Sequence, residues 1–309
     1  MTTNKGANRT FLITVIIYIL LSFVWSIVSH FFDIPFSANS LLTQTVVFLP
    51  AFLYIKISGM KVRELIPYRR IKISDALQAI AMTYLFYPLL IVVNLITMFF
   101  VDNETAGVIT TAAGEQSLFW NVVFIALLPA CVEEFVFRGM LYQTYKKSSL
   151  LVGVLLSAFL FGCMHMNFNQ FAYAFVFGLV LALTLEATGS IFTSMLCHFV
   201  LNLNSVLLIT VMGHMQGGNF SNTIEESSTL MDHPKLLLMG ALSWIVIAVF
   251  TTIGAVGIWI HLAKKNGNLE RIQKELKKPT KEKIFSIPLL LGILMTAAVM
   301  VFMEVLKRI

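Results

Sequence analysis

Charge is what this sequence has least of. Asp, Glu, Lys and Arg make up 12% of its 309 residues, about half the ~25% of a soluble domain. Hydrophobic residues make up 58%, and mean hydropathy is +0.83. So few charges do not cover that much apolar surface in water, so lipid is part of the solvent. Cysteine is scarce as well. Cys131, Cys163 and Cys197 are odd in number, form no CxxC and all sit in apolar runs, which argues against a disulfide framework. None of the six histidines is followed by Glu, so the HExxH zinc-protease helix is absent. There is no GxSxG, no GxGxxG, no Gly-rich phosphate loop and no internal repeat.

What is there is a series of apolar runs. Spanning the hydrocarbon core takes about 20 apolar residues. Nine stretches qualify or come close: 11–32, 41–57, 76–100, 117–131, 150–164, 168–185, 191–212, 236–262 and 285–306. The second is short and carries Pro50, and the fourth can run on past Cys131. The first follows Lys5 and Arg9 directly and lacks a small-x-small cleavage site, so it reads as a retained span and not a signal peptide. The expectation is an all-α polytopic transmembrane helix bundle of eight or nine spans, one integral membrane domain over residues 1–309 in the cell membrane.

The connecting segments alternate in charge. With the N-terminus in the cytoplasm, nineteen of the 22 Lys and Arg residues fall on the cytoplasmic side: Lys5 and Arg9, six from Lys56 to Lys72, then Arg138, Lys146 and Lys147, then eight from Lys264 to Lys283. The other side keeps Lys235, Lys307 and Arg308, and is acidic through Asp33, Asp102, Glu104, Glu115, Glu225, Glu226 and Asp232. This is the positive-inside pattern, so the net charge of +6 reflects topology and not a nucleic-acid partner. The C-terminal Lys307 and Arg308 argue mildly against a ninth full crossing. The Lys-rich stretch 264–283 reads as a solvated loop, partly helical at the membrane surface.

An ionisable group inside a span costs at least ~2.5 kcal/mol at the helix centre and is by default a functional candidate. Three clusters qualify. In the first, Glu133 and Glu134 precede Arg138. Glu134 and Arg138 are i, i+4 and can pair on one helix face, whereas Glu133 points about 100° away and is left for chemistry. The bland alternative is that both glutamates mark a span end. In the second, Phe161 and His165 share a face, and a His at a helix end is often only hydrogen-bonded structure. In the third, His198 and Asn202 share a face within the seventh span, where interhelical hydrogen bonding is the alternative. A Glu, a His, and a His plus Asn on three separate spans are harder to explain as glue. Cys131 and Cys163 each lie two residues before Glu133 and His165, about 200° round a helix, so small-residue packing is expected of them and a thiol nucleophile is not.

Glu133-Glu134-xxx-Arg138, Phe161-xxx-His165 and His198-xxx-Asn202 resemble, in order, the three motifs of the CAAX prenyl endopeptidase and bacteriocin-processing family of intramembrane proteases. The resemblance covers about residues 118–208, which would form a catalytic four-span core. It implies that Glu133 is the general base activating water, assisted by His165, that His198 and Asn202 stabilise the oxyanion, and that Glu134 and Arg138 support the site. It also implies a peptide or protein substrate in the membrane. Glu133, His165 and His198 could instead hold zinc with an open position for water. Asn202 beside the second His favours the metal-independent alternative. A non-catalytic membrane partner, such as an immunity or regulatory protein, and a proton-coupled carrier are the competing readings.

One expectation conflicts with another. At 1.5 Å per residue, His165 lies about 24 Å from a helix start near Ser149, and His198 only about 12 Å from one near Ser190. Either the fifth span tilts steeply, or residues 134–147 continue as helix and the fifth span begins deeper.

Overall fold

The computed structural model describes residues 2–101, 107, 109–110, 112, 116–215, 233–280 and 283–307. Among them every regular element is a helix. In chain order these are α1 (Asn4–Phe31), α2 (Phe36–Ile57), α3 (Val62–Leu65), α4 (Ile73–Thr97), α5 (Leu118–Tyr145), α6 (Leu150–Met164), α7 (Phe168–Thr188), α8 (Ile191–Met215), α9 (Pro234–Lys265), α10 (Leu269–Leu276) and α11 (Ile287–Leu306). Eight of them are long and apolar enough to cross a membrane. The chain is a multi-pass membrane protein, and its outer faces suit lipid: Phe23 on α1, Phe250 on α9 and Phe302 on α11 are all well exposed.

The helix that falls short is α6, with 15 residues. The last helix, doubted on the charge of Lys307, is a full 20 residues long, and Lys307 pairs with Glu304 one turn back. The fourth stretch runs on, as it can: α5 is a 28-residue helix that carries Glu133, Glu134 and Arg138 along it. This is one of the two arrangements that would relieve the depth conflict. Residues 134–145 continue as helix, and α6 starts only after that helix has ended.

Helix pairs are sequence neighbours and long-range partners: α6 packs on α7, α9 lies along α4, and α11 lies against α1. The basic ends expected on one side do gather there, apart from Arg138, which is fully buried against Glu134 within α5. Asn8 of α1 donates to Ile284 O and Ser286 before α11, and accepts from Tyr145 at the end of α5. Tyr54 near the end of α2 receives the Thr3 N–H. Lys265 ends α9 on Asp75 of α4, 2.7 Å away. Glu186, near the end of α7 and 1% exposed at its side chain, takes Lys146 at 2.6 Å and Arg271 of α10 at 2.7 Å. Thus α10, within the Lys-rich stretch, is docked by a buried Ile272 and this ion-pair cluster. The acidic segments around Asp102, Glu104, Glu115, Glu225, Glu226 and Asp232 lie outside the described residues.

The connection between α2 and α4 also belongs to this end. Ile66 is fully buried there, and Pro67 O accepts the first N–H of α8 from Ile191. Gly139 on α5 makes room for the wedge, since a Cβ at that position would stand 2.6 Å from Ile66 Cδ1. Cys163 and Cys197 are buried, as small-residue packing requires. Cys131 differs: it lies on the exposed side of α5, so packing does not explain it.

Candidate active site

The site begins with a proline. Pro129 has no N–H to give back along α5, and its ring crowds the carbonyl four residues earlier. The helix responds by widening: residues Val122–Leu127 form a π-helix, in which the Leu128 N–H reaches back five residues to Val123 O. Neighbouring helices satisfy the carbonyls this releases. Ser40 of α2 donates to Phe124 O at 2.9 Å, and Asn202 of α8 donates through Nδ2 to Ile125 O at 3.2 Å. An α-helical stretch Leu128–Glu134 follows, then a second π-helix over Phe135–Leu141. The paired glutamates thus sit between two wide turns, a feature frequent at functional sites.

Glu134 and Arg138 form the expected pair. Nη1 of Arg138 lies 3.0 Å from Glu134 Oε1, and both side chains are fully buried. The guanidinium also stacks over the Phe161 ring, 4.3 Å from its centroid. It fits there because α7 presents Gly178, where a Cβ would stand 3.0 Å from Arg138 Nη2. The same Glu134 oxygen accepts from His198 Nδ1 at 3.0 Å. Since a carboxylate only accepts, Nδ1 carries the hydrogen and the ring is locked with Nε2 turned away.

Nε2 of His198 faces Glu133. It lies 3.8 Å from Glu133 Oε2, too long for a direct hydrogen bond and within the reach of a bridging water. The other oxygen of Glu133 accepts from Gln44 Nε2 on α2 at 3.0 Å. Glu133 keeps 15% side-chain exposure where Glu134 has none, so the two neighbours differ in access to water, as their spacing suggests. His165 ends α6 with Nδ1 donating to Phe161 O at 2.8 Å, which leaves its Nε2 available. It stands within electrostatic reach of Glu133 and His198. Both imidazoles pack edge-on against Phe161, at 4.9 and 5.7 Å between centroids. After His165 the chain turns through Met166 at φ 51°, a left-handed conformation that costs about 1–2 kcal/mol outside glycine. Asn167 then caps α7 through Gln170 N–H.

All seven motif residues therefore lie on α5, on α8 and at the end of α6, where Phe161 packs against Arg138, His165 and His198. His198 and Asn202 both reach α5, as residues on one face of α8 do. Among the described residues no three His, Cys, Asp or Glu side chains stand close enough to hold a metal ion together. As arranged here, Glu133, His165 and His198 do not fit a zinc site.

Residues 115–204 match the family described as Type II CAAX prenyl endopeptidase Rce1-like. This segment is similar to that family. The Rce1-like segment starts three residues before α5 and ends two residues past Asn202, so it holds every motif residue. No curated protein and no solved structure matches the chain. Gln44 lies outside the Rce1-like segment, and the motif reading passed over it. Its signal was available: a side-chain amide inside an otherwise apolar span is a candidate for interhelical bonding or a site.

Proposed function

We propose that this protein is an intramembrane endopeptidase that hydrolyses a peptide bond of a membrane-associated or short peptide by glutamate-activated water. The observation that carries the reading is the Glu133 carboxylate, held by Gln44 on one oxygen and 3.8 Å from His198 Nε2 on the other, inside a bundle of membrane-length helices. A water between Glu133 Oε2 and the imidazoles attacks the carbonyl carbon while Glu133 takes its proton, with His165 Nε2 orienting it. The carbonyl π electrons move to oxygen. That oxyanion takes hydrogen bonds from the second hydrogen of Asn202 Nδ2 and from His198 Nε2 when the ring is doubly protonated. Low dielectric strengthens both bonds. Glu133 then passes the proton to the departing nitrogen, the C–N bond breaks, and a carboxylic acid and an amine leave. Glu134 and Arg138 touch no reacting atom. They fix the His198 ring through Nδ1.

The Rce1-like family match supports this reading for the chain as a whole, and the basic residues gathered at one end of the bundle support a cytoplasmic N-terminus in the cell membrane. The test is quantitative peptidomics of membranes from cells carrying the wild type or Glu133→Gln at matched abundance. New peptide termini should be present with the wild type and drop by about 100-fold or more in the variant, the usual contribution of a general base. Identical termini in both would overturn the assignment.

A further inference from the structure

Between α1 and α2 lies an open groove of about 350 Å³. Its inner end is Tyr18, which stands within electrostatic reach of Glu133. From there Ser22, Ser26 and Ser29 line it along α1, and Asn39 and Thr43 line it along α2, interleaved with the apolar Leu21, Trp25, Leu42 and Val46. The polar groups are out of place on a span. The adjoining face of α1 exposes Leu20, Phe23, Val24, Ile27 and Phe31, as a lipid-facing surface should. The groove face instead exposes Ser22, Ser26, Ser29 and Asn39. Ser29 donates its hydroxyl to Ser26 O at 3.0 Å, which leaves Ser22, Ser26 and Asn39 to be explained: within the hydrocarbon region, unpaired polar groups are tolerated only where they meet water or a partner. A second observation lies beside the groove, at the residue that follows Thr43 on α2. Gln44, buried on α2 at 7% exposure, spends its amide N–H on Glu133 and leaves Oε1 buried with no hydrogen-bond partner among the described residues. An orphaned buried acceptor is costly unless something fills it.

We propose that this groove binds the substrate as an extended peptide strand running inward from the α1–α2 turn to Glu133, with Gln44 Oε1 accepting a backbone N–H beside the scissile bond. This rests on the reading of Glu133 as the base. The dimensions fit. Tyr18 to Ser29 is about 16 Å along α1 at 1.5 Å per residue, which accommodates about five residues of strand at 3.3 Å each. Hydroxyl and amide side chains on both walls match the alternating N–H and C=O groups of an unpaired strand. Beyond its first turn a helix has spent its N–H groups on its own carbonyls and has none for Gln44, so the substrate class is a peptide that is unwound on this side of the cleaved bond. It enters from the end of the bundle opposite the basic loops.

Two measurements test this. In the first, the peptide termini that depend on Glu133 define activity. Ser26→Trp and Thr43→Trp fill the groove, whereas Ile27→Trp places the same bulk on the lipid face. The first two should lower those termini by at least about tenfold at normal abundance, as misplaced substrates do, and Ile27→Trp should leave them unchanged. Glu133-dependent termini that persist in both groove variants would sink the groove and leave the hydrolase standing. The second measurement needs no activity. In Glu133→Gln with Cys131→Ala, Ser26→Cys in nanodiscs is labelled by a membrane-impermeant maleimide. A random-sequence decapeptide pool should slow that labelling at least about threefold, as occupancy above its Kd requires, and should not slow labelling of Lys307→Cys. Unaltered labelling of Ser26→Cys at millimolar peptide overturns the proposal, whatever becomes of the hydrolase reading.

Discussion

Replacing Arg138 by Met should unfold the site before it changes the chemistry. The guanidinium stands 3.0 Å from Glu134 and 4.3 Å from the Phe161 centroid, with no exposure to solvent. At that separation and an effective dielectric near 20, the charge pair is worth about 5 kcal/mol. A desolvated cation over a ring adds about 2 kcal/mol. Both terms overstate the loss, because deleting Arg138 also removes its own desolvation penalty, several kcal/mol in real proteins. One-sided deletion of a buried pair leaves a net cost of about 3–5 kcal/mol, since Glu134 stays charged and buried with only His198 for company. Adding Glu134→Gln removes that stranded charge, so the double variant should be more stable than Arg138→Met alone, by about 1–4 kcal/mol. Cleavage should not recover with it, because His198 Nδ1 has lost its carboxylate. Reversible unfolding in mixed detergent micelles measures the stabilities, and product peptides measure the activity. An Arg138→Met protein within about 1 kcal/mol of wild type, the ordinary effect of a mild substitution, would refute the reasoning. So would a double variant no better than the single one.

Three further outcomes are expected. Asn202→Leu should slow cleavage by about 100- to 1,000-fold, the usual loss for one oxyanion donor. It should also cost about 1–3 kcal/mol in the same unfolding assay, because Ile125 O loses its partner; an unaltered rate would exclude Asn202 from the chemistry. Pro129→Ala gives α5 back an N–H for Ile125 O, so stability should hold while cleavage falls by about 100-fold as Glu133 is re-aimed. Full activity would show that the wide turn does not set the base. Cleavage should survive 1,10-phenanthroline, with less than one zinc per chain by elemental analysis; activity lost to the chelator and restored by zinc would refute a metal-free mechanism.

The helices were legible because lipid makes the apolar-run signal simple: 150–164 was read to the residue, and the other stretches within a few residues at most ends. The extension of α5 to Tyr145 was harder, because Glu133, Glu134 and Arg138 interrupt its apolar pattern, and of these Glu134 and Arg138 are buried only in the folded state. The Glu134–Arg138 pair followed from helical spacing. The bond from Glu134 to His198 did not, since it joins residues 64 apart and no local periodicity encodes it. Gln44 was missed for the same reason, lying 89 residues from Glu133 and outside the motif region. The wide turns were visible only in outline. Pro129 announces a fault in the helix, but whether it bends, breaks or widens depends on Ser40 and Asn202 arriving to take the released carbonyls.

Those wide turns make α5 tolerant, in one place, of a change that membrane helices otherwise do not absorb. A wide turn holds about one residue more than an α-helical turn, so removing one residue between Val122 and Leu127 would let that stretch rewind as an ordinary α-helix and nearly keep the heading of Glu133 and Glu134. The same deletion between Leu128 and Val132, where the helix is already α, would swing everything beyond it by about 100°. Both carboxylates would then leave their partners together, in a span that still fits the bilayer.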